Sequence, residues 1–442
     1  MERNFLRTVC NLAVPVALQS MLQSSFSIVD QIMIGQLGSV SVAGVGLAGK
    51  FVNIFTFMSS AIGAVAGIMI SQYMGRDDRG EVRRSFSLNL MAVLILAGAF
   101  TAVCSIFPMN LMSLYSEDAE TVREAAGYLA ILAGMFFPAA GATMLAAMFR
   151  CMERTALPLC ASIVAAVLNT GLNYVLIFGK LGLSPMGARG AAIATLISQS
   201  ANFLIMLLLF LRHRSCLAGD GRILPPFKWG QYAAMLLPML VCEFMWCLGE
   251  NVYAGIYGHL GTDSCAAMTL IDPVQGMMTG ALCGLSQAAA VIIGKKLGSG
   301  DYEQAYVAAK KLILYGFVAA GTLSVVILLL RGYYVEIYRV GSEVKELTRR
   351  ILLSYAVIAP FKVQNMIVSG GVIRSGGQTK FTMFIDLIGT WGFGVPLGLL
   401  SAFVWELPIY WVYFILSLEE CVRYAISIVV LRRKQWMRSL DT

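Results

Sequence analysis

Apolar residues in this chain run in long blocks, rather than in the alternation of strands or the one-sided stripe of a soluble helix. Twelve blocks approach the roughly 20 residues that a helix needs to cross a hydrocarbon core. They lie at about 12–34, 45–73, 85–111, 124–149, 156–178, 190–211, 231–257, 265–293, 306–330, 347–372, 380–401 and 408–431. No water reaches peptide groups inside a bilayer, so each block must satisfy its own backbone and is expected to be a helix. The polar links are short, which makes successive helices antiparallel neighbours. The expected fold class is all-α integral membrane, with twelve transmembrane helices.

The polar punctuation repeats. At an offset of 223 residues, Pro15 falls on Pro238, Gly35-Gln36-Leu37-Gly38 on Gly258-His259-Leu260-Gly261, Ser41 on Ser264, and Gly75 on Gly298. At 224, Arg150 and Thr155 fall on Arg374 and Thr379. Colinear matches at nearly one spacing indicate two homologous halves. Each half holds an even number of spans, so both insert the same way round, a parallel repeat with its axis along the membrane normal. The expectation is two pseudo-symmetric six-helix bundles, lobes 1–220 and 221–442, divided in the polar stretch 212–230. Two such lobes generate a cleft near the bilayer midplane, and rocking them exposes it to each side in turn.

Composition narrows the class. The 442 residues are 58% hydrophobic and 13% charged, against about 45–50% and about 25% in soluble domains. So little charge cannot clothe a water-facing surface of this size, which argues against a soluble enzyme, a disordered chain or a nucleic-acid binder. The net charge of +8 is explained by its placement. One alternate set of loops, with both termini, carries 22 Lys and Arg against eight in the opposite set. That asymmetry puts both termini in the cytosol. The tail RRKQWMR reads as a membrane-surface anchor with Trp436 at the interface. The ten cysteines form no C-x-x-C and read as small hydrophobes, and His213 and His259 are too few for a metal centre. The N-terminus reads as the start of the first span rather than a removable signal.

Charges inside the spans carry the functional argument. Each costs roughly 2.5–3.5 kcal/mol near the bilayer centre and so faces a cavity or a partner. Asp30 lies in span 1, Glu243 and Glu250 two turns apart in span 7, Asp272 in span 8, Lys362 in span 10 and Asp386 in span 11. Glu419 and Arg423, four apart in span 12, read as a pair that holds its own helix. Asp30 shares its half with Asn169 and Asn173, one turn apart in span 5, and with Thr195 in span 6. A carboxylate with amide and hydroxyl oxygens suits a hard cation, which makes Asp30 a candidate for Na⁺, and a carboxylate in low dielectric also takes up H⁺. Interhelical hydrogen bonding is the competing explanation. Met135, Phe136, Phe137, Trp246, Tyr253, Tyr257, Met277, Met278 and Trp391 are candidate liners of an adaptable cavity for organic cations.

Motifs across both halves carry a family likeness: Pro15 with VDQIMIGQLG, then SQYMGRDDRGEVRR, LNTGLNYVLIFG and GARGAAIATLIS, and later IYGHLGTDSCAA and IRSGGQTKFTMFID. The chain resembles the multidrug and toxic compound extrusion (MATE) family over nearly its whole length. The resemblance implies an inner-membrane antiporter that exports organic compounds against Na⁺ or H⁺, with no organic cofactor and acting as a monomer. It implies a cation site at the positions of Asp30, Asn169, Asn173 and Thr195, where Asn173 stands for the acid usual in the family. It also implies acidic cavity positions in spans 7 and 10. The first falls near Trp246, flanked by Glu243 and Glu250; the second falls at Lys362, so that Asp386 takes over the charge. Two other classes remain open. A lipid-linked oligosaccharide flippase or polysaccharide exporter is expected to have a more basic cavity. A membrane transferase needs a D-x-x-D pair or a buried His with a carboxylate, and the sequence has neither.

Overall fold

The computed structural model describes residues 2–213, 228–338 and 340–440. The expected lobe boundary at 220/221 and Arg339 lie outside the described residues. Eleven long apolar helices follow one another: α1 (Glu2–Gly35), α2 (Ser39–Gly75), α3 (Arg79–Ile106), α4 (Ala119–Cys151), α5 (Ala156–Phe178), α6 (Gly187–Arg212), α7 (Trp229–His259), α8 (Thr262–Gly298), α9 (Tyr302–Glu336), α10 (Ser342–Ile373) and α11 (Thr379–Val404). The twelfth span, α12, is helical in two pieces, Ile409–Ser417 and Glu419–Arg433, joined at Leu418. Its charges Glu419, Glu420 and Arg423 all lie near the start of the second piece. No strand occurs among the described residues. The fold class is thus that of a multi-pass helical membrane protein.

Local chemistry sets the helix ends. Asp78, Asp118 and Asp301 cap α3, α4 and α9, each accepting from a backbone N–H three residues on, at 3.1 to 3.2 Å. Hydrogen bonds from the Thr121 hydroxyl and amide hold the Asp118 carboxyl below the usual carboxylate range. Gly179 ends α5 in the left-handed conformation, φ 66°. In α10 and α11 the segments Met366–Ile373, Ile388–Gly394 and Leu400–Val404 widen into π-type turns. Such turns displace side chains from the regular helical face and recur near functional sites.

The chain forms two compact units. The C-terminal unit holds Met1–Ala17, Ser71–Asp77 and Pro226–Thr442; the N-terminal unit holds Leu18–Ile70 and Asp78–Pro225. The lobes 1–220 and 221–442 follow the repeat in sequence, whereas the start of α1 and the end of α2 fold with the C-terminal unit. Glycine explains how. A Cβ at Gly75 would strike the Lys295 carbonyl, and one at Gly298 the Gln72 carbonyl. Offsetting 75 and 72 by 223 gives 298 and 295, so this contact is its own image under the repeat. Ser71-x₃-Gly75 crosses Gly294-x₃-Gly298 as small residues cross at close helix pairs in membranes.

The C-terminal tail also packs here. Trp436 is fully buried (0% exposed), with its Nε1 donating to the Leu431 carbonyl at 3.2 Å. The expected interfacial anchor is therefore a core residue. Gln72 Nε2 donates to the Ser375 carbonyl at 2.7 Å, and its Oε1 accepts from the Leu440 amide at 3.0 Å. In the N-terminal unit, Phe55, Phe100 and Phe136 pack with ring centroids 4.7 to 5.7 Å apart. Phe136, Met135 and Met278 are buried, while Met277 and Phe137 are exposed.

Candidate functional site

Two polar sites interrupt the apolar helices, one in each unit. In the N-terminal unit α1 presents Asp30, half-buried, to α5. Asn173 Nδ2 donates to Asp30 Oδ1 at 2.7 Å. Asn169 is satisfied with its amide nitrogen toward Asp30, donating to both carboxylate oxygens at 3.0 Å and accepting from Ser198 Oγ at 3.2 Å. Asn169 and Asn173 reach one carboxylate because residues four apart share a helix face. Thr195 on α6 donates back to the Ala191 carbonyl at 2.9 Å and pairs with the Tyr128 hydroxyl of α4. Tyr128, buried in the field of Asp30, was not legible in the sequence, since a tyrosine in an apolar block carries no local signal.

Burial takes water from the Asp30 carboxyl. Charge-assisted hydrogen bonds from two amides replace part of its lost hydration. Asn173 Oδ1 is buried and has no hydrogen-bond partner among the described residues. Na⁺ would take the Asp30 carboxylate and such amide or hydroxyl oxygens.

The C-terminal unit contains a cavity of about 350 Å³. Trp246 and Glu250 of α7, Asp272 of α8, Lys362 of α10, and Glu419 and Glu420 of α12 line it. Tyr253, Tyr257, Tyr355 and Tyr413 supply aromatic wall, and Gln275 Nε2 donates to the Tyr413 hydroxyl at 3.2 Å. The side chains of Glu250, Asp272 and Lys362 carry no hydrogen bond or ion pair among the described residues. Acids and aromatic faces without internal partners attract an organic cation.

Glu243 and Asp386 lie off this cavity. Asp386 accepts from Cys242 Sγ at 2.8 Å and stands 3.9 Å from Arg423 Nη1; Glu243 lies in the field of Arg374 and Asp386. Arg423 also stands 3.9 Å from both Glu419 and Glu420, and it hydrogen-bonds Thr390. The Glu419–Arg423 pair is thus part of a network that reaches α11 as well as its own helix. Tyr253 donates to Glu419 Oε2 at 2.5 Å, and Asn365 Nδ2 to Glu420 Oε2 at 2.8 Å. Among the described residues no group of three His, Cys, Asp or Glu could hold a metal ion.

Twelve spans with polar groups gathered in each unit define a multi-pass membrane transporter. The MatE family model matches residues 15–175 and 238–400, two stretches that begin at Pro15 and Pro238, 223 residues apart. The chain belongs to this family of multidrug and toxin efflux transporters, and it is not an enzyme. Multidrug resistance protein MdtK of Yersinia pseudotuberculosis is 25% identical over 458 residues, covering 99% of this chain and 96% of that protein. Human multidrug and toxin extrusion protein 1 is 26% identical over 422 residues, covering 92% and 71%. A crystal structure of a MATE protein in complex with MaL6 matches with a TM-score of 0.89 at 18% identity, over 98% of this chain and 96% of that one. At that identity the likeness is one of fold.

Proposed function

We propose that this chain exports small organic compounds, cations among them, by alternating access in exchange for Na⁺ or H⁺. The organic cation binds in the C-terminal unit's cavity, and the coupling ion binds at Asp30. The observation that carries the reading is that Glu250 and Asp272 face an aromatic cavity with no hydrogen-bond or ion-pair partner among the described residues. A desolvated acid is retained in a membrane protein where it meets a ligand or an ion. The cavity wall has four carboxylates and one lysine, which disfavours the diphosphate of a lipid-linked oligosaccharide. The chain acts as a monomer in a bacterial-type inner membrane with both termini in the cytosol, as its loop charges indicate.

The test is export of a cationic and a neutral dye from proteoliposomes by Glu250→Gln and Asp272→Asn. Losing a desolvated charge pair costs about 2 kcal/mol or more. The cationic dye should therefore be exported at least about tenfold less efficiently and the neutral one nearly normally. Equal loss of both would assign these acids to structure.

A further inference from the structure

A second cavity, of about 300 Å³, lies where the tail folds back on the C-terminal unit. Its walls are the start of α7 at Gln231, the turn Gly376–Gln378, the start of α11 and the tail at Arg438–Leu440. Glycine lets these segments meet. A Cβ at Gly376 would strike the Trp436 carbonyl, and Gly377 turns at φ 73°. Gln231 Nε2 donates to the Leu440 carbonyl at 2.5 Å, and the Thr379 hydroxyl donates to the Met235 carbonyl at 2.9 Å. Three chain segments are thus tied round one space.

The charge of this space is one-sided. Its lining carries two cations, Lys380 and Arg438, and no acid among the described residues. Neither side chain makes a hydrogen bond or ion pair there, nor does the side-chain amide of Gln378. Helix α11 also starts without a side-chain cap, which leaves first-turn amides open on the same side. The repeat shows what is missing. Subtracting 224 from 377 gives 153, and Glu153, at φ 60°, holds in the N-terminal copy the turn position that Gly377 holds here. An acid before α5 complements the positive end of that helix. Before α11 the turn Arg374–Gln378 contains none.

We propose that this cavity binds the phosphate headgroup of an anionic phospholipid, with Lys380 and Arg438 as its counter-charges. The adjoining surface fits such an amphiphile. Lys380, Phe384 and Ile388 follow at four-residue intervals on α11 and are all exposed, so one face passes from a cation to bare apolar side chains. Leu237 and Val241 of α7, also exposed, lie about one and two turns beyond Ala234 of the cavity wall. Trp229 is exposed just before Gln231, as tryptophans are at headgroup depth. A free phosphate would satisfy the cations and leave the apolar strip without a role. The orientation proposed above turns this end of the helices toward the cytosol, whose leaflet carries anionic lipid. Bound there, the lipid bridges the tail to α11 and holds the wall that covers Trp436.

Native mass spectrometry of the purified full chain in a neutral detergent, titrated separately with phosphatidylglycerol, phosphatidylcholine and inorganic phosphate, tests this. One phosphatidylglycerol should bind more tightly than phosphatidylcholine and raise the thermal unfolding temperature. Lys380→Gln and Arg438→Gln should each weaken it about fivefold, the worth of one basic residue at an anionic surface. Gln378→Glu, which supplies the missing carboxylate, should remove the preference for phosphatidylglycerol. Lys310→Gln, at an exposed lysine outside the cavity, should change nothing. An equal loss in Lys310→Gln, or equal binding of the two lipids, overturns the proposal, since either means diffuse attraction. Phosphatidylglycerol binding undiminished in both Lys380→Gln and Arg438→Gln overturns it as well. Inorganic phosphate that binds wild type as tightly as phosphatidylglycerol assigns the cavity to the free anion and overturns the lipid.

Discussion

Replacing Asn173 with aspartate puts the N-terminal site under the most revealing strain. Asn173 Nδ2 lies 2.7 Å from Asp30 Oδ1. The variant loses one charge-assisted hydrogen bond, about 1.5–3 kcal/mol, and sets two carboxylates about 3 Å apart. At an effective dielectric near 20 their repulsion is about 5 kcal/mol. Asp30 is only half-buried, so solvent screens roughly half of that. What remains, about 2–3 kcal/mol, is relieved by capture of a proton or Na⁺. Sodium titration of purified protein at several pH values should show H⁺ or Na⁺ bound at least about tenfold more tightly, since about 1.4 kcal/mol is a factor of ten. Adding Asp30→Asn should cancel the gain. Cation affinity unchanged in Asn173→Asp, or a gain that survives the double substitution, would falsify the view that Asn173 tunes Asp30.

Three further outcomes are expected. Trp436→Ala removes a side chain with 0% exposure and should cost about 3–5 kcal/mol, read as a lower thermal unfolding temperature in detergent; an unchanged midpoint means the tail is not packed. Gly298→Ala drives a methyl into the Gln72 carbonyl and should lower the unfolding temperature, while Gly321→Ala, with open space around its Cβ, should not; matching shifts would contradict the close crossing of α2 and α8. The Asp118 carboxyl is held below its usual range, so its contribution is present at neutral pH and lost on acidification. The stability gap between wild type and Asp118→Ala should therefore shrink as pH falls through the carboxylate range, and a constant gap denies the cap its charge.

The spans were legible because a bilayer imposes one length on every crossing helix, and the repeat because Pro15/Pro238 and Gly75/Gly298 keep one spacing. The proximity of Asn169 and Asn173 to each other followed from helical periodicity, and a lone Asp30 needed donors. Long-range packing was not legible. Glu419 and Arg423 sit at a spacing that a helix satisfies alone, so nothing local announced Asp386, Thr390 or Tyr253 around them. Trp436 follows a run of basic residues, as interfacial tryptophans do, yet the fold closes over it. The ends of α1 and α2 join the C-terminal unit through backbone contacts that glycine permits, and sequence order does not reveal that membership.

The most direct measurement is accumulation of a cationic dye by proteoliposomes against the dye's own gradient, with Na⁺ and H⁺ gradients imposed separately. At least one gradient should drive wild-type accumulation. Asp30→Asn should abolish it while its thermal unfolding stays close to wild type. Accumulation indifferent to both gradients, or undiminished in Asp30→Asn, would contradict ion-coupled exchange at these sites.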